Sequence, residues 1–319
     1  MIGLARRLHE AGVLGINRRN AIYMLPNNRR TQFPLVDDKV LTKTIAVRAG
    51  AAVPELYGVI EIQRDVRNLA DIVADRGDFV VKPAQGSQGH GISVVTGRTG
   101  NYFRLADGSL TTYDEMSFHI SNILSGIYSL GGQPDKALIE YRVKFDPLFE
   151  KIAYRGVPDI RIIVFFGVPV MAMVRLPTRL SSGKANLHQG AIGAGVDLAT
   201  GRTLTAVWRN EVVSEHPDTG NPVSDVQIPH WDRLLDIAAR SYEMTDLGYQ
   251  GIDLVLDREL GPLILELNAR PGLNIQIANR EGLTPRLETV LANREVLVDV
   301  AERVAFAKRH FASRHLAAG

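Results

Sequence analysis

Apolar residues in this chain gather mostly in short runs bounded by turn residues, with helical spacing between the runs. The runs at Val53–Ile60, Ala137–Val143, Ala191–Val196 and Arg202–Arg209 read as strands. Pro158–Phe166 and Val168–Arg175 flank Gly167 and read as a hairpin. Phe79–Lys82 and Ile92–Val95 read as a strand pair across a glycine-rich loop, and Gly251–Asp257 with Pro262–Asn268 as a second hairpin. Helices are expected over residues 1–14 and from a cap at Asp37-Asp38 to about Ala49, with Gly50 as the stop. Further helices are expected over Arg64–Arg76, Thr112–Leu130 and Trp231–Leu247, and one long helix from about Leu287 onward. Asn17–Pro34 reads as a polar, Arg/Asn-rich connection, and Pro177–Gly190 as a polar, mobile loop. Helices mixed with largely antiparallel strands make the expected fold class α+β, a two-layer α/β arrangement.

Two of these elements carry chemistry. The first is Phe79-Val-Val-Lys-Pro-Ala-Gln-Gly-Ser-Gln-Gly-His-Gly-Ile-Ser-Val-Val95. Glycines 86, 89 and 91 let backbone N–H groups turn toward an anion, and Lys82 adds a positive charge at the rim. That suits polyphosphate, although a plain glycine hairpin would read the same. In the second element, a four-residue loop at Arg258–Gly261 would pair Asp257 with Pro262, Val255 with Ile264 and Asp253 with Glu266. Glu266 and Asn268 are two apart and share a face, so Asp253, Glu266 and Asn268 converge. Three hard oxygen donors suit magnesium. The alternative makes Asp253 a strand-end cap and pairs Glu266 with a basic side chain; either way a buried carboxylate needs a cation.

Bulk properties narrow the classes. A chain of 319 residues can hold two or three subdomains. A net charge of +2, from 37 basic and 35 acidic side chains, demands neither nucleic acid nor a membrane surface. With no cysteine there are no disulfides and no thiolate chemistry, which fits a cytoplasmic setting. The apolar stretch Ile162–Val174 is broken by Gly167 and Pro169 and is too short to span a bilayer. No signal peptide is read at the arginine-bearing N-terminus. Gly-x-x-x-x-Gly-Lys-Ser/Thr and Gly-x-Ser-x-Gly motifs do not occur, which argues against a Walker-type NTPase and an elbow-type serine hydrolase.

Six motifs in order carry a family resemblance. They are Asp38-Lys-Val-Leu-Thr-Lys43, the Lys82 strand pair, Leu138-Ile-Glu-Tyr141, Asp159-Ile-Arg161, Asn186-Leu-His-Gln-Gly190, and Gly251-Ile-Asp253 with Glu266-Leu-Asn268-Ala-Arg-Pro-Gly272. Together they resemble the ATP-grasp superfamily, with the nearest likeness to RimK-type α-L-glutamate ligases, over roughly Asp37 to Gly272. The resemblance implies two α+β subdomains gripping ATP. The boundaries would be a short N-terminal segment at 1–36, a first subdomain at 37–142 and a second at 143–319. It also implies ATP and one or two Mg²⁺ ions, with Mn²⁺ as an alternative.

The residue roles follow from the same resemblance. Lys43 and Lys82 would contact phosphates, and the loop with Gly86, Ser87, Gln88, Gly89 and Gly91 would close over them. Glu140 and Tyr141 would lie at adenine, Asp159 near the ribose, and Lys184 and Asn186 on a further nucleotide segment. Asp253, Glu266 and Asn268 would hold the metal. Charge neutralisation on a transferring phosphoryl group is work for guanidinium groups, so Arg161, Arg175 and Arg270 are candidates, with His188 as a candidate base. The expected reaction is ATP-dependent carboxylate–amine ligation through an acyl phosphate, with an amino acid such as glutamate and a peptide or protein acceptor. A homo-oligomeric state stays open. The alternatives are an ATP-grasp phosphotransferase and a non-catalytic ATP-binding switch. The family carries a larger N-terminal domain than the 36 residues before Asp37, and Gln189 replaces an arginine of the family motif. The first departure bears on the acceptor, and the second, which removes a charge near the substrate loop, bears on glutamate as the donor.

Overall fold

The computed structural model describes residues 2–86 and 89–313. The chain divides into two compact units. The smaller comprises Asp38–Thr44 and Val53–Lys144, and the larger comprises Met1–Asp37, Ile45–Ala52 and Phe145–Gly319. Among the described residues no helix is long and apolar enough to cross a membrane.

The smaller unit is built on six strands: β1 (Leu56–Ile60), β2 (Phe79–Pro83), β3 (Ser93–Thr99), β4 (Tyr102–Leu105), β5 (Leu110–Thr112) and β6 (Ala137–Glu140). Their order is β1-β6-β2-β3-β4-β5, and every neighbouring pair is antiparallel. The helix Tyr113–Leu124 begins in a capping box, in which Thr112 and Glu115 satisfy each other's backbone N–H groups. It buries Met116, Ile120 and Ile123 in one core with Phe79, Val81, Phe103 and Ile139. Phe79 meets Phe103 edge to face with ring centroids 5.3 Å apart. The helix expected over Arg64–Arg76 is instead a 3₁₀ segment, Gln63–Asn68, and one α-turn, Leu69–Ile72, and Ile62 supplies no side-chain cap at its start.

The larger unit holds seven strands: β7 (Asp159–Phe165), β8 (Val168–Leu176), β9 (Ile192–Val196), β10 (Thr203–Trp208), β11 (Glu211–Val213), β12 (Tyr249–Asp257) and β13 (Gly261–Asn268). The order is β11-β10-β9-β8-β7-β12-β13, again antiparallel throughout. β7 and β8 are joined by Phe166-Gly167, both at positive φ, as a tight primed turn requires. Phe166 tolerates φ 47° because its ring is held between Phe165, Tyr242 and the Arg294 guanidinium, 3.8 Å from the ring centroid. β12 is buried along its whole length, which accounts for its near-continuous apolar sequence.

Further expectations change on contact with the structure. Asp253 does pair with Glu266, but Asp257 faces Gly261, Leu256 faces Pro262 and Val255 faces Leu263. The register shift between Asp253 and Leu254 compensates for a loop one residue shorter than expected. The polar connection at Asn17–Pro34 is partly helical: Ile16–Arg18 runs into a π-helix, Arg19–Met24. Asn28 there is buried, accepting from Tyr249 N (2.8 Å) and donating to Tyr249 O (2.7 Å). The long C-terminal helix is two, Thr284–Asn293 and Val300–His310, because Asp299 caps a new start by accepting from Glu302 N. The 177–190 loop is tied at both ends, with Thr178 Oγ1 donating to Gly190 O (2.7 Å) and Thr178 and Ser181 fully buried.

Candidate active site

In the smaller unit, Lys82 stands on β2 and Glu140 on β6, with Lys82 paired to Leu138 and Val80 to Glu140 in the ladder. Lys43 comes from the helix Lys39–Arg48, whose first turn is capped by Asp38 Oδ1 accepting from Val40 N (2.8 Å). These three side chains meet in a buried cluster. Lys82 Nζ is 2.5 Å from Glu140 Oε1 and Lys43 Nζ is 2.9 Å from Oε2, all three side chains being at most 7% exposed. The Lys43 contact is an ion pair by distance but lacks hydrogen-bond alignment at Oε2; the bond Lys43 makes is donated to Pro54 O (2.6 Å). Burial would raise the Glu140 carboxyl, and the two ammonium groups outweigh it and hold it below its ordinary range. Burial, with Lys82 adding to it, lowers Lys43 to about 8 despite Glu140. Two cations against one anion leave one positive charge in this cluster. Lys43 is therefore not the solvated helix residue that an amphipathic pattern allows.

Lys82 leads into the glycine-rich loop. Lys39 Nζ donates to Gly86 O (2.8 Å), and Gln85 N donates to both carboxylate oxygens of buried Asp135 (3.1 and 3.0 Å). Gly91 lies at φ 74°, where an added Cβ would come 2.6 Å from the Tyr128 ring, and its carbonyl is 3.0 Å from His119 Nε2. Gly89 also has positive φ. Ser87 and Gln88 lie outside the described residues. Tyr141 donates its N–H to Glu55 O (2.8 Å) and is half-buried.

In the larger unit, the ladder places four charged residues on one face of neighbouring strands. Asp253 of β12 is opposite Arg161 of β7, and Asp159 of β7 is opposite Arg175 of β8. Arg161 donates to Asp253 through Nε (2.7 Å) and Nη2 (2.6 Å). Arg175 donates to Asp159 through Nε and Nη2 (both 2.5 Å) and to Asp253 Oδ2 (2.8 Å). This is a buried lattice of alternating sign with two charges of each. Burial pushes Asp159 up, with its one close guanidinium only partly opposing; Asp253, held by two, goes down. Asp159 thus pairs with Arg175 rather than with Arg161.

Glu266 and Asn268 lie on β13, half-buried, on the Asp253 side of the hairpin. Asn268 Oδ1 accepts from Arg270 N (2.8 Å), turning the chain out of the strand. Gly251 permits this exit, because a Cβ there would come 2.7 Å from Pro271. Arg270 is half-exposed over the Phe33 ring (4.5 Å) and 3.7 Å from Asp37. Arg19, which sequence reasoning passed over, is buried and donates to Pro271 O (2.8 Å). Among the described residues no group of three His, Cys, Asp or Glu could hold a metal by itself. Three hard oxygen donors nevertheless suit magnesium in kind: Glu266, the Asn268 amide oxygen, and the lone pair that Asp253 Oδ1 keeps beyond its one arginine contact. Lys184 N donates to Ser181 O (3.0 Å), Asn186 Oδ1 accepts from His188 N (3.0 Å), and exposed His188 stands 3.5 Å from Asn274 Nδ2.

Residues 18–292 match the model of the sugar-transfer associated ATP-grasp family. The chain belongs to that family, and with it to the ATP-grasp superfamily; its fold is the α+β arrangement described above. No curated protein matches it. Among solved structures it is similar to the ATP-grasp ligase PsnB complexed with minimal precursor, at 14% identity and a TM-score of 0.44, over 83% of this chain and 63% of PsnB. The D-cycloserine synthetase DcsG is similar at 15% identity and a TM-score of 0.45, over 83% and 72%. A D-alanine–D-alanine ligase from Bacillus anthracis is similar at 12% identity and a TM-score of 0.47, over 91% and 77%. The chain thus spans less than two thirds of the length of PsnB.

Proposed function

We propose that the chain is an ATP-dependent carboxylate–amine ligase. One observation carries the reading: the buried Lys43–Glu140–Lys82 cluster keeps a net positive charge at the stem of a glycine-rich loop. A buried charge without a counter-ion is costly, and a polyphosphate supplies one. Lys43 and Lys82 would take phosphate oxygens, and Gly86, Gly89 and Gly91 would bring backbone N–H groups to them. Tyr141, Lys184 and Asn186 are the further nucleotide contacts of this reading, with the main chain at Glu140. Glu266 and Asn268, with the remaining lone pair of Asp253, would hold Mg²⁺, which when bound neutralises charge on phosphate oxygens.

The step is attack of a substrate carboxylate on the γ-phosphorus. The bond to the β-phosphate oxygen breaks, leaving ADP and an acyl phosphate; an amine then displaces phosphate to form an amide and loses a proton. Arg175 and Arg161 are fixed by Asp159 and Asp253, so their guanidinium planes are pre-organised for phosphoryl or carboxylate oxygens. Arg270, on the strand exit, would do the same work. His188, exposed on the 186–190 turn, would take the amine proton.

The RimK likeness of Asn186-Leu-His-Gln-Gly190 makes glutamate the first amino acid to test. The family's association with sugar transfer adds uronic acids and amino sugars to the panel. The test is a hydroxylamine trap with Mg-ATP and each carboxylate in turn. A carboxylate-dependent hydroxamate supports the ligase. Phosphorylated product without hydroxamate supports a phosphotransferase and overturns this reading.

A further inference from the structure

The turn at 214–222 encloses a histidine that the proposed chemistry does not use. His216 is 1% exposed. Its Nε2 is 2.9 Å from Pro177 O, which accepts only, so Nε2 carries the hydrogen. Its Nδ1 accepts from Asp218 N at 3.2 Å, so Nδ1 carries none. Two backbone partners thus fix one neutral tautomer. The contacts continue into the loop that carries Lys184, Asn186 and His188. Pro177 O also accepts from Tyr154 N (2.9 Å), and Asp218 Oδ2 accepts from Arg179 N (2.7 Å). Thr178 Oγ1 closes the loop onto Gly190 O, where Trp208 Nε1 also donates (2.9 Å). Gly156 approaches Gly183 so closely that a Cβ would fall 1.9 Å from the Gly183 carbonyl oxygen. The turn itself is braced by His216 N donating to Asn221 O (2.8 Å) and by Asn221 Nδ2 donating to Lys151 O (2.7 Å).

We propose that His216 is a positioning residue for the 177–190 loop, which it holds in place only while its imidazole is neutral. A proton on Nδ1 would face the Asp218 N–H, so the 3.2 Å bond would become donor against donor. That loosens the attachment of Asp218, and with it the bond to Arg179 N. The charged groups around the ring are few. Asp218, on its own turn, favours the imidazolium and is itself engaged by Arg179, whose Nε lies 3.8 Å away. Lys151 and Tyr154 meet the assembly through backbone atoms, by Lys151 O and Tyr154 N. Burial outweighs Asp218 and the Pro177 bond and lowers the imidazole below its ordinary 6.5. A histidine with a depressed folded value contributes stability above the unfolded value, and that contribution is lost as pH falls through the folded value. Loop anchoring is therefore full at neutral pH and lost on the acid side of the ordinary histidine range.

The importance of this loop rests on the ligase reading; its anchoring does not, and the test separates them. Amide hydrogen exchange of residues 178–190 is followed from pH 7.5 to 5, corrected for intrinsic exchange, in the native protein, His216→Gln and His216→Ala. Glutamine can place an amide N–H where Nε2 stands but does not titrate. The native loop should lose protection about tenfold on acidification, the size of one lost buried hydrogen bond. His216→Gln should keep protection that does not vary with pH, and His216→Ala should be poorly protected at every pH. Native protection that is flat with pH, or a glutamine variant that follows the native profile, overturns the proposal. Absence of ligase activity alongside the expected exchange pattern would count against the ligase reading alone.

Discussion

Arg175→Met tests whether the charge lattice of the larger unit is as tightly bound as its geometry says. The substitution keeps most of the side-chain volume and removes a guanidinium that makes three hydrogen bonds, two to Asp159 and one to Asp253. Both carboxylates are buried, at 9% and 6% side-chain exposure. Asp253 keeps its bidentate contact with Arg161. Asp159 loses its bidentate partner. Breaking a buried pair from one side costs about 3–5 kcal/mol, because the remaining charge is stranded. The sign of the pH dependence follows from Asp159, whose carboxyl burial already raises above its ordinary 3.8. Without Arg175 it rises further, so the folded variant binds more protons than the unfolded chain above that value. Stability then falls as pH rises through the window between the unfolded and the raised folded values. Urea unfolding of both proteins at pH 5 and pH 7.5 should show a larger loss at pH 7.5 with an unchanged m-value. A loss below about 1 kcal/mol at pH 7.5, in the range of exposed ion pairs, or a larger loss at pH 5, would refute the reasoning.

Two further substitutions probe separate links. Glu140→Gln leaves Lys43 and Lys82 facing a neutral amide in a buried site; the smaller unit should lose about 3 kcal/mol, and saturating ADP should restore more stability than it adds to the native protein, read by thermal shift. Asn28→Ala removes both bonds to the Tyr249 backbone. The expected loss is about 2–3 kcal/mol for buried groups left unpaired, and near-zero loss in urea unfolding would mean that the N-terminal segment is not integral to the larger unit.

Much of this fold is legible in the chain because buried strands need apolar runs and turns need glycine. Gly167 is a local signal, and the hairpin it bounds lies where that signal puts it; the helix expected over Thr112–Leu130 starts on its Thr112–Glu115 capping box but ends at Leu124, six residues short. The hairpin brings Asp253 opposite Glu266 as counting predicts, although the positions beyond are displaced by one. A bulge is invisible to counting, since it depends on how the strand pair twists and packs. Side-chain partners depend on more than one segment at once. That Arg175 would reach both Asp159 and Asp253 depends on the β7–β8 and β7–β12 registers together, which no single segment encodes. Arg19 and Asn28 sit in a stretch whose polarity suggests solvent, and their burial comes from backbone carbonyls and amides more than two hundred residues away. The one available signal was the density of arginine and asparagine itself, both of which can satisfy such backbone groups.

Ligase activity is tested most simply by ADP release from the purified protein with Mg-ATP, across amino acids, short peptides, uronic acids and amino sugars, with Glu266→Ala as control. A ligase should form ADP only when both a carboxylate and an amine are present, yield the matching amide, and lose this activity in the variant while the fold is retained. ADP release that is indifferent to every added carboxylate and amine, or that persists undiminished in Glu266→Ala, would contradict this function.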